Sequence, residues 1–357
     1  MITGGPCAGK STLLANARCY FENRGLRALV LTETVTELSL GGLPPQEQWR
    51  TPISFQRMAL GFQLSRENEY YRIAQELSVP KKTILLCDRG ALDGMAYIKR
   101  HEFLRVCEEL ECSPADLLDR YAGIIHLVTA AEGKEEYYTL ANNSARTESA
   151  EEARRIDKRL LAAWAGHERK AVIGNSTGFN EKMDRGLRAA ARFANMPGFA
   201  DCERKFILRN FAPWFIPRSA VKIHIEQAYL ALEGEVERRV RARRIDGATS
   251  YYYTELRPTP ESGVRQKVTS LIPRREYEIL LDEGRGVYPT VSKERYCFPY
   301  EGKQFEVDQF LKPQGVPILF EVKMETMDEP IRFPSHWDAN EVTGNAEFSN
   351  RNIALRS

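Results

Sequence analysis

The sequence predicts an α/β protein in which a parallel sheet flanked by helices precedes a region rich in antiparallel strands. In the first half, apolar runs of strand length alternate with longer helical patterns, an order typical of right-handed βαβ units. In the second half, charged and apolar residues alternate with a period of two, as they do on strands with one polar face. The length of 357 residues exceeds the usual size of one domain, so two domains are expected.

The composition is that of an ordinary globular protein. Its 51 basic and 49 acidic residues give a net charge of +2, which argues against a surface that coats nucleic acid. No apolar run approaches the ~18 residues of a membrane-spanning helix, and no signal peptide is visible. The seven cysteines include no C-x-x-C pair and no zinc-site spacing. These features predict a cytoplasmic protein with free thiols and no nucleic-acid partner.

A glycine-rich loop follows the first predicted strand and matches G-x-x-x-x-G-K-[ST] at every fixed position. The predicted nucleotide-binding residues are Gly4, Gly5, Pro6, Cys7, Ala8, Gly9, Lys10, Ser11 and Thr12. A helical pattern begins directly after the loop, so backbone N–H groups can surround phosphate oxygens. Lys10 is expected to bridge the β- and γ-phosphates of GTP or ATP, and the Ser11 hydroxyl to ligate Mg²⁺. The strand before the loop has only three residues, which leaves open a native chain that begins before Met1.

The next chemical marker is Asp88. Further strands are predicted at residues 28–32, 83–87, 124–128 and 171–173. Asp88 follows the second of these, and a carboxylate at the end of a buried strand in a protein with a phosphate loop is placed to hold Mg²⁺. The alternative is an aspartate that caps a helix or a turn.

A polar segment between residues 141 and 155 contains the third member of the predicted catalytic set, which is Lys10, Asp88 and Arg146. Arg146 is expected to close over the phosphates as part of a lid and to stabilise charge during phosphoryl transfer. The alternative is a solvated helix face with pairs such as Glu151 and Arg155. Glu33, at the end of a strand, is a candidate base or a solvent-exposed strand terminus.

Several stretches together resemble the NadR-like P-loop domain, a family related to small nucleoside and nicotinamide-riboside kinases. These stretches are residues 2–10, 88–94, 143–148 and 175–179. The resemblance covers residues 1–195 and implies a P-loop nucleotide-binding domain. The periodicity fails over residues 196–218, which are predicted to form a linker.

The second half carries pairs of charged residues at positions i and i+2. The pairs are His224 and Glu226, Arg241 and Arg243, Arg265 and Lys267, Glu276 and Glu278, Lys293 and Arg295, Glu306 and Asp308, and Glu321 and Lys323. Alternation with a period of two places both members of a pair on one face of a sheet. In a plain antiparallel sheet that face would simply contact water.

The order of these pairs resembles the CYTH, or triphosphate tunnel metalloenzyme, family over residues 219–357. The resemblance implies a closed antiparallel barrel whose inner face carries basic residues for triphosphate and acidic residues for metal. The implied anion- or lipid-binding residues are Glu226, Arg241, Arg243, Lys267, Glu276, Glu278, Lys293, Arg295, Glu306, Asp308, Glu321 and Lys323.

Two departures from the family pattern bear on metal binding. The family's opening motif, E-x-E-x-K, falls on His224, Glu226 and Ala228, so one of its three residues is retained. The late E-x-E motif falls on Glu321 and Lys323. Because an ammonium repels the cation that a carboxylate would bind, the tunnel is expected to bind anions without metal chemistry.

The combination of the two domains resembles the TRPL-translocation-defect family of eukaryotic trafficking proteins. That resemblance implies GTP binding by the first domain and binding of an acidic phospholipid, notably phosphatidic acid, by the second. It therefore implies a regulator with weak or no NTPase turnover and peripheral contact with membranes. A small-molecule kinase and a tunnel triphosphatase stay open as alternatives. Guanine is favoured over adenine by the resemblance alone, since the sequence has no N-K-x-D motif.

Overall fold

The chain forms two compact units, Met1–Ala194 and Asn195–Ser357. The computed structural model describes residues 1–44, 46–138, 149–199, 202–231, 234–258, 265–284 and 289–356. None of the helices in these residues combines the length and the apolar composition that crossing a membrane requires.

The first unit contains the predicted parallel sheet. Its strands are β1 (Ile2–Gly4), β2 (Arg27–Leu31), β3 (Thr83–Cys87), β4 (Ile124–Leu127) and β5 (Lys170–Ile173). Strand β1 pairs with β4, β4 with β5, and β2 with β3, all in parallel. Ile2 of β1 also forms a parallel bridge with Asp88, the residue after β3. This bridge joins the pair β2-β3 to the three strands β1-β4-β5, so the strand order is β2-β3-β1-β4-β5. The loops that follow β1, β2 and β3 therefore meet at one edge of the sheet.

Helices connect the strands of this unit. They are α1 (Lys10–Glu22), α2 (Thr34–Leu40), α3 (Pro52–Glu76), α4 (Arg100–Glu109), α5 (Pro114–Asp119), α6 (Ala150–Ala163) and α7 (Phe179–Phe193). Local sequence accounts for several helix starts. Thr51 caps α3 and Ser113 caps α5, each accepting a backbone hydrogen bond and each followed by a proline. Helix α1 buries Leu13, against which α7 packs closely at Gly186.

The second unit contains a large antiparallel sheet, as predicted. Its strands are β6 (Cys202–Leu208), β7 (Val221–Tyr229), β8 (Glu237–Ile245), β9 (Ala248–Pro258), β10 (Arg265–Ile272), β11 (Val291–Tyr300), β12 (Lys303–Lys312), β13 (Leu319–Met324) and β14 (Ala339–Glu341). Their hydrogen-bonded order is β10-β9-β8-β7-β11-β12-β13-β6-β14. Two helices, α8 (Arg274–Glu283) and α9 (Asn350–Ala354), complete the unit.

Both faces of this sheet are buried near its centre. One face presents aromatic and aliphatic side chains to an apolar core, which includes Phe206, Phe298, Phe305, Phe320 and Trp337. Most of the side chains that alternate with them on β11, β12 and β13 are charged, and five of these are buried as well: Lys293, Arg295, Glu306, Asp308 and Glu321. Buried charges require partners, so the charged face is the one that concerns function.

Two predictions about this unit were wrong. Residues 196–218 are not only a linker, because they contain β6, which lies between β13 and β14 in the sheet. Glu276 and Glu278 do not lie on a strand but on α8. The alternation there is short, and Tyr277 instead packs with Leu280 and Leu281 at helical spacing.

Candidate functional site

The phosphate loop joins β1 to α1 and depends on glycine at two positions. Gly4 has a φ of +137°, and a Cβ at this position would lie 2.0 Å from the carbonyl oxygen of Leu127. Gly9 has a φ of +96° and forms the N-cap of α1. Both conformations are costly for any residue with a side chain. The backbone therefore fits closely against β4 and presents the N-terminus of α1.

Lys10 lies over the loop that precedes it. Its Nζ donates hydrogen bonds to the carbonyl oxygens of Gly4 at 3.1 Å and Gly5 at 3.0 Å. Burial lowers the pKa of Lys10 to about 8, with a further contribution from the neighbouring charge of Arg89. The ammonium is thus placed at the loop and is only partly protonated above pH 8.

Asp88 has the properties expected of a ligand for a divalent cation. Its Oδ1 is buried and, within the part of the chain that the structure describes, has no hydrogen-bond partner. Burial raises the pKa of Asp88, while the positive charge of Lys10 acts against that shift. An orphaned buried carboxylate oxygen is costly unless a cation or donor compensates it. Asp88 and the exposed Ser11 at the start of α1 therefore fit Mg²⁺.

Arg89 connects the loop to a cluster of carboxylates. It has a φ of +74°, and its guanidinium donates to Glu33 Oε1 and to the carbonyl oxygen of Gly4, both at 3.0 Å. It also lies 3.6 Å from Asp93, which accepts hydrogen bonds from Thr3. Burial would raise the pKa of Glu33, but Arg89 and Lys10 hold it below its usual value.

Sequence reasoning missed Arg89. Its position directly after the Asp88 carboxylate, at a strand end, was the available signal. A non-glycine residue at positive φ between functional groups often marks a site.

Sequence reasoning also missed Asp157, whose carboxylate contacts the backbone of the phosphate loop. Asp157 on α6 accepts hydrogen bonds from the backbone N–H groups of Gly5 at 2.6 Å and Thr129 at 3.3 Å. Its Oδ1 also lies 3.2 Å from Nε2 of the buried His126. Nothing in local sequence links Asp157 to the loop, because the contact depends on the fold. Arg146, the predicted lid residue, lies outside the described residues.

In the second unit, eight residues form what we call the charged face; seven of them are buried or half-buried, and Glu203 is exposed. They are Glu203 and Lys205 on β6, Lys293 and Arg295 on β11, Glu306 and Asp308 on β12, and Glu321 and Lys323 on β13. The strand register brings them together, since Arg295 lies opposite Asp308, Glu306 opposite Glu321, and Glu321 opposite Lys205. The face has four carboxylates and four cationic groups.

Arg295 is the central cation of the charged face. Its guanidinium contacts both oxygens of Asp308, at 2.6 and 2.7 Å, and Glu321 at 3.1 Å. It also contacts Glu306. Burial opposes the charged form, but these three carboxylates raise the pKa of Arg295 well above its usual value. Lys293 contacts Asp308 at 2.6 Å, and burial lowers the pKa of Lys293 to about 8.

Arg241 and Arg243 extend the cationic side of the charged face along β8. Both are buried, and each guanidinium carbon lies 5.5 Å from the centre of the Tyr252 ring. The register places Arg243 opposite Ile225, and Ile225 opposite Lys293, so Arg243 and Lys293 lie on the same side of the sheet. Lys267 lies on the same side on β10 and is half-buried.

Glu226 lies on the other side of the sheet, contrary to expectation. It is exposed, and its neighbour His224 contacts Glu294 at 3.1 Å on that side. The physical reason is the period of two, because Ile223 and Ile225 are the residues of β7 that lie opposite Arg295 and Lys293. The charged face instead includes Glu203 and Lys205, an acidic and a basic residue in the stretch that was predicted to be a linker. Their spacing of two residues was the signal that would have found them.

Lys323 lies at the acidic end of the charged face. Its Nζ is 2.6 Å from Glu203 and 3.7 Å from Glu306, while Lys205 binds Glu321 at 3.0 Å. Every carboxylate of the charged face is therefore in contact with a cationic side chain. Among the described residues, no group of three or more acidic, histidine or cysteine side chains could hold a metal ion. The charged face does not fit the divalent metal that the resemblance implied.

Comparison with known proteins gives a family match that lies within the first unit. A family model described as AAA_28, an AAA domain, matches residues 1–182. An inorganic triphosphatase from Acetivibrio thermocellus is 31% identical over 84 residues, which are 22% of this chain and 53% of the relative. The chain thus spans about half the length of that relative.

Solved structures with similarity to the chain include the inorganic triphosphatase NE1496 and the PH1819 protein from Pyrococcus horikoshii OT3. The first is 24% identical, with 44% of this chain and 95% of that chain covered and a TM-score of 0.33. The second is 17% identical, with coverage of 35% and 77% and a TM-score of 0.28.

Proposed function

The chain belongs to the AAA_28 family of AAA domains, and from this premise we propose that it is a Mg²⁺-dependent nucleotide-binding regulator whose second unit binds a phosphorylated anion. GTP is the nucleotide that we propose, with ATP as the alternative. The proposed anion is the head group of phosphatidic acid. The protein would then meet membranes peripherally from the cytoplasm and act in membrane trafficking, with weak or no NTPase turnover.

The proposed nucleotide site rests on one observation: the Lys10 ammonium lies at the loop, and the nearby Asp88 carboxylate has a buried oxygen without a hydrogen-bond partner among the described residues. The N-terminus of α1 and the loop N–H groups would bind phosphate oxygens, and Lys10 would exchange its bonds to Gly4 and Gly5 for bonds to phosphate. Asp88 and Ser11 would hold Mg²⁺, which when bound neutralises charge on the phosphates. Arg89 would keep Glu33 charged and the loop in place.

Titration of labelled GTP and ATP tests this assignment. Lys10→Ala removes a charge-assisted contact worth roughly 1.5–3 kcal/mol, so the affinity should fall at least tenfold. Lys158→Ala is the matched control, because this lysine is exposed on α6 and is not part of the phosphate-binding motif. Equal affinity of the two variants would contradict the nucleotide site.

The anion site is supported by the cationic end of the charged face. Arg241 and Arg243 are buried beside Tyr252, which fixes their position. Guanidinium groups bind phosphate through paired hydrogen bonds, and a doubly ionised phosphate monoester matches two such groups better than a singly charged diester. A generic basic surface would instead bind all anionic lipids alike and would be screened by salt.

Vesicle co-sedimentation distinguishes these cases. Vesicles with phosphatidic acid or phosphatidylserine at matched charge are compared, and soluble glycerol phosphate is added as a competitor. We expect a preference for phosphatidic acid that Arg241→Ala with Arg243→Ala abolishes. The exposed Arg274 and Arg332, changed together to alanine, provide the matched control. Equal binding to both lipids by all three proteins would contradict a specific site.

A small-molecule kinase is a second candidate, favoured by the contact between Arg89 and Glu33 at 3.0 Å. A carboxylate that stays ionised near the phosphate loop is suited to accept a proton from an attacking hydroxyl. Glu33→Gln should then abolish phosphate transfer to a nucleoside or to nicotinamide riboside and leave nucleotide affinity unchanged. Glu37→Gln, on α2, is the control. Absence of transfer by the unmodified protein would exclude this candidate for these acceptors.

A tunnel triphosphatase is the third candidate, suggested by the name of the curated relative. The position of Lys323 among the carboxylates counts against it. We expect little phosphate release from tripolyphosphate with Mg²⁺ or Mn²⁺. Release that disappears in Glu306→Gln would show that the charged face has this activity.

A further inference from the structure

At the acidic end of the charged face, a lysine ammonium lies beside carboxylates from neighbouring strands. Glu203, Glu306 and Glu321 come from three adjacent strands, β6, β12 and β13. The Lys323 ammonium lies among them, at 2.6 Å from Glu203 and 3.7 Å from Glu306. The negative charge of all three carboxylates acts on Lys323, and together they raise its pKa against the effect of burial.

The charge count of the face agrees with this interpretation. Glu203, Glu306, Asp308 and Glu321 give −4, and Lys205, Lys293, Arg295 and Lys323 give +4, so the eight residues sum to zero. Arg241 and Arg243, which extend the face, add further positive charge. A divalent cation would therefore enter a cluster with no net negative charge and would have to displace Lys323 from its carboxylates. A carboxylate at position 323 would change the sum of the eight residues to −2 and would add a fourth carboxylate to Glu203, Glu306 and Glu321.

We propose that the ammonium of Lys323 takes the position of a divalent metal ion among Glu203, Glu306 and Glu321, so that the charged face binds phosphorylated anions without a metal. The proposal rests on the anion-binding function given above. In this arrangement the carboxylates hold Lys323, and Lys323 presents its remaining N–H groups to phosphate oxygens. Arg241 and Arg243 supply the other cationic contacts.

The first test measures metal binding and needs no anion. All proteins carry Lys10→Ala and Asp88→Ala, so that the phosphate loop does not contribute, and free Mn²⁺ is followed by electron paramagnetic resonance. The parent protein should bind no Mn²⁺ at the charged face. Lys323→Glu should bind one Mn²⁺, and Mn²⁺ should raise its melting temperature. Lys222→Glu, the same charge change at an exposed residue on the other side of the sheet, should behave as the parent.

Two results would overturn the proposal. One is Mn²⁺ binding by the parent that disappears in Glu306→Gln. The other is a folded Lys323→Glu protein that binds no Mn²⁺. If Lys323→Glu does not fold, Lys323→Gln carries the same test, since it removes the ammonium and leaves three carboxylates. The Lys323→Gln protein should bind Mn²⁺, although more weakly than a site with four carboxylates would. Absence of Mn²⁺ binding by this variant would also overturn the proposal.

The second test uses tripolyphosphate as the probe, in the presence of EDTA. The parent should bind it, and Lys323→Gln should bind it at least tenfold more weakly, as expected for one charge-assisted contact. Lys323→Glu should regain affinity when Mn²⁺ replaces EDTA. A parent that binds only when Mn²⁺ is present would overturn the proposal. A parent that fails to bind under either condition would contradict the anion-binding function, whereas the Mn²⁺ titration would still decide the role of Lys323.

Discussion

Asp157 Oδ1 accepts a 2.6 Å hydrogen bond from the backbone N–H of Gly5, although 152 positions separate the two residues. This bond ties α6 to the first turn of the phosphate loop. The same carboxylate lies beside the buried His126. The position of the loop therefore depends on a residue outside the phosphate-binding motif.

Asp157→Asn should weaken nucleotide binding and stability together. The substitution keeps the shape but removes the charge from bonds worth roughly 1.5–3 kcal/mol. Nucleotide titration and urea unfolding measure the two effects, with the exposed Glu152→Gln on the same helix as the control. An unfolding free energy equal to that of the control would show that the contact is unimportant.

The pKa of Asp157 predicts an acid limit to stability. Burial alone would raise this pKa, but His126 and the N–H groups of Gly5 and Thr129 lower it below the usual 3.8. The folded state then binds the proton less readily than the unfolded state. The contribution of Asp157 is therefore present above about pH 4 and is lost as the pH falls through the lowered pKa. Unfolding free energies of the parent and Asp157→Asn should converge at acid pH; a constant difference would contradict this.

Nucleotide affinity should fall as the pH rises above about 8. The pKa of Lys10 is lowered to about 8, so below that pH the ammonium is charged and above it the charge is lost. Bound phosphate stabilises the charged ammonium, so the pH at which half of the affinity is lost should lie above the pKa of the free protein. Lys10→Arg stays charged throughout this range and should give a flatter profile. Parallel profiles for the two proteins, from titrations at several pH values, would contradict the role of Lys10.

Gly4→Ala should destabilise the first unit strongly. A Cβ would lie 2.0 Å from the Leu127 carbonyl oxygen at a φ of +137°, and strain of this kind alone costs about 1–3 kcal/mol. Gly133→Ala is the matched control, since Gly133 also has positive φ, +75°, but open space around it. The control should cost about 1–2 kcal/mol. Equal unfolding free energies for the two variants would show that the loop can move away from β4.

Arg295→Gln should destabilise the second unit. The change leaves Glu306, Asp308 and Glu321 without their shared partner, and breaking a buried ion pair costs about 3–5 kcal/mol. Lys222→Gln removes an exposed pair and should cost no more than about 1 kcal/mol. Urea unfolding of both variants measures the difference. A loss for Arg295→Gln as small as that of the control would mean that Lys205, Lys293 and Lys323 compensate.

The sequence predicted the first unit well because its signals are local. The phosphate loop has a fixed spacing, and the strands that follow it are short apolar runs between helical patterns. Asp88 could be placed at a strand end for the same reason. Arg89 and Asp157 could not be assigned, since their roles arise from backbone geometry and from a contact between distant elements.

The second unit was predicted less completely. Alternation with a period of two indicates which residues share a face of the sheet, but it does not indicate what that face packs against. Lys293, Arg295, Glu306 and Asp308 lie together on one side as expected. Glu226 lies on the opposite side, since the sequence does not say which of two alternating sets turns inward. Glu276 and Glu278 show that four alternating residues are too few to distinguish a strand from a helix.

The place of β6 in the sheet determines where the second unit can be separated from the first. Although β6 comes first in this unit, it lies between β13 and β14 and pairs with both. A fragment that begins at residue 219 would lack β6, would leave one edge of β13 unpaired while its other edge stays paired with β12, and would lose two of the eight charged-face residues. Open strand edges pair with other chains, so such a fragment is expected to self-associate. A fragment that begins at residue 195 keeps the strand and is the suitable choice for isolated-domain experiments.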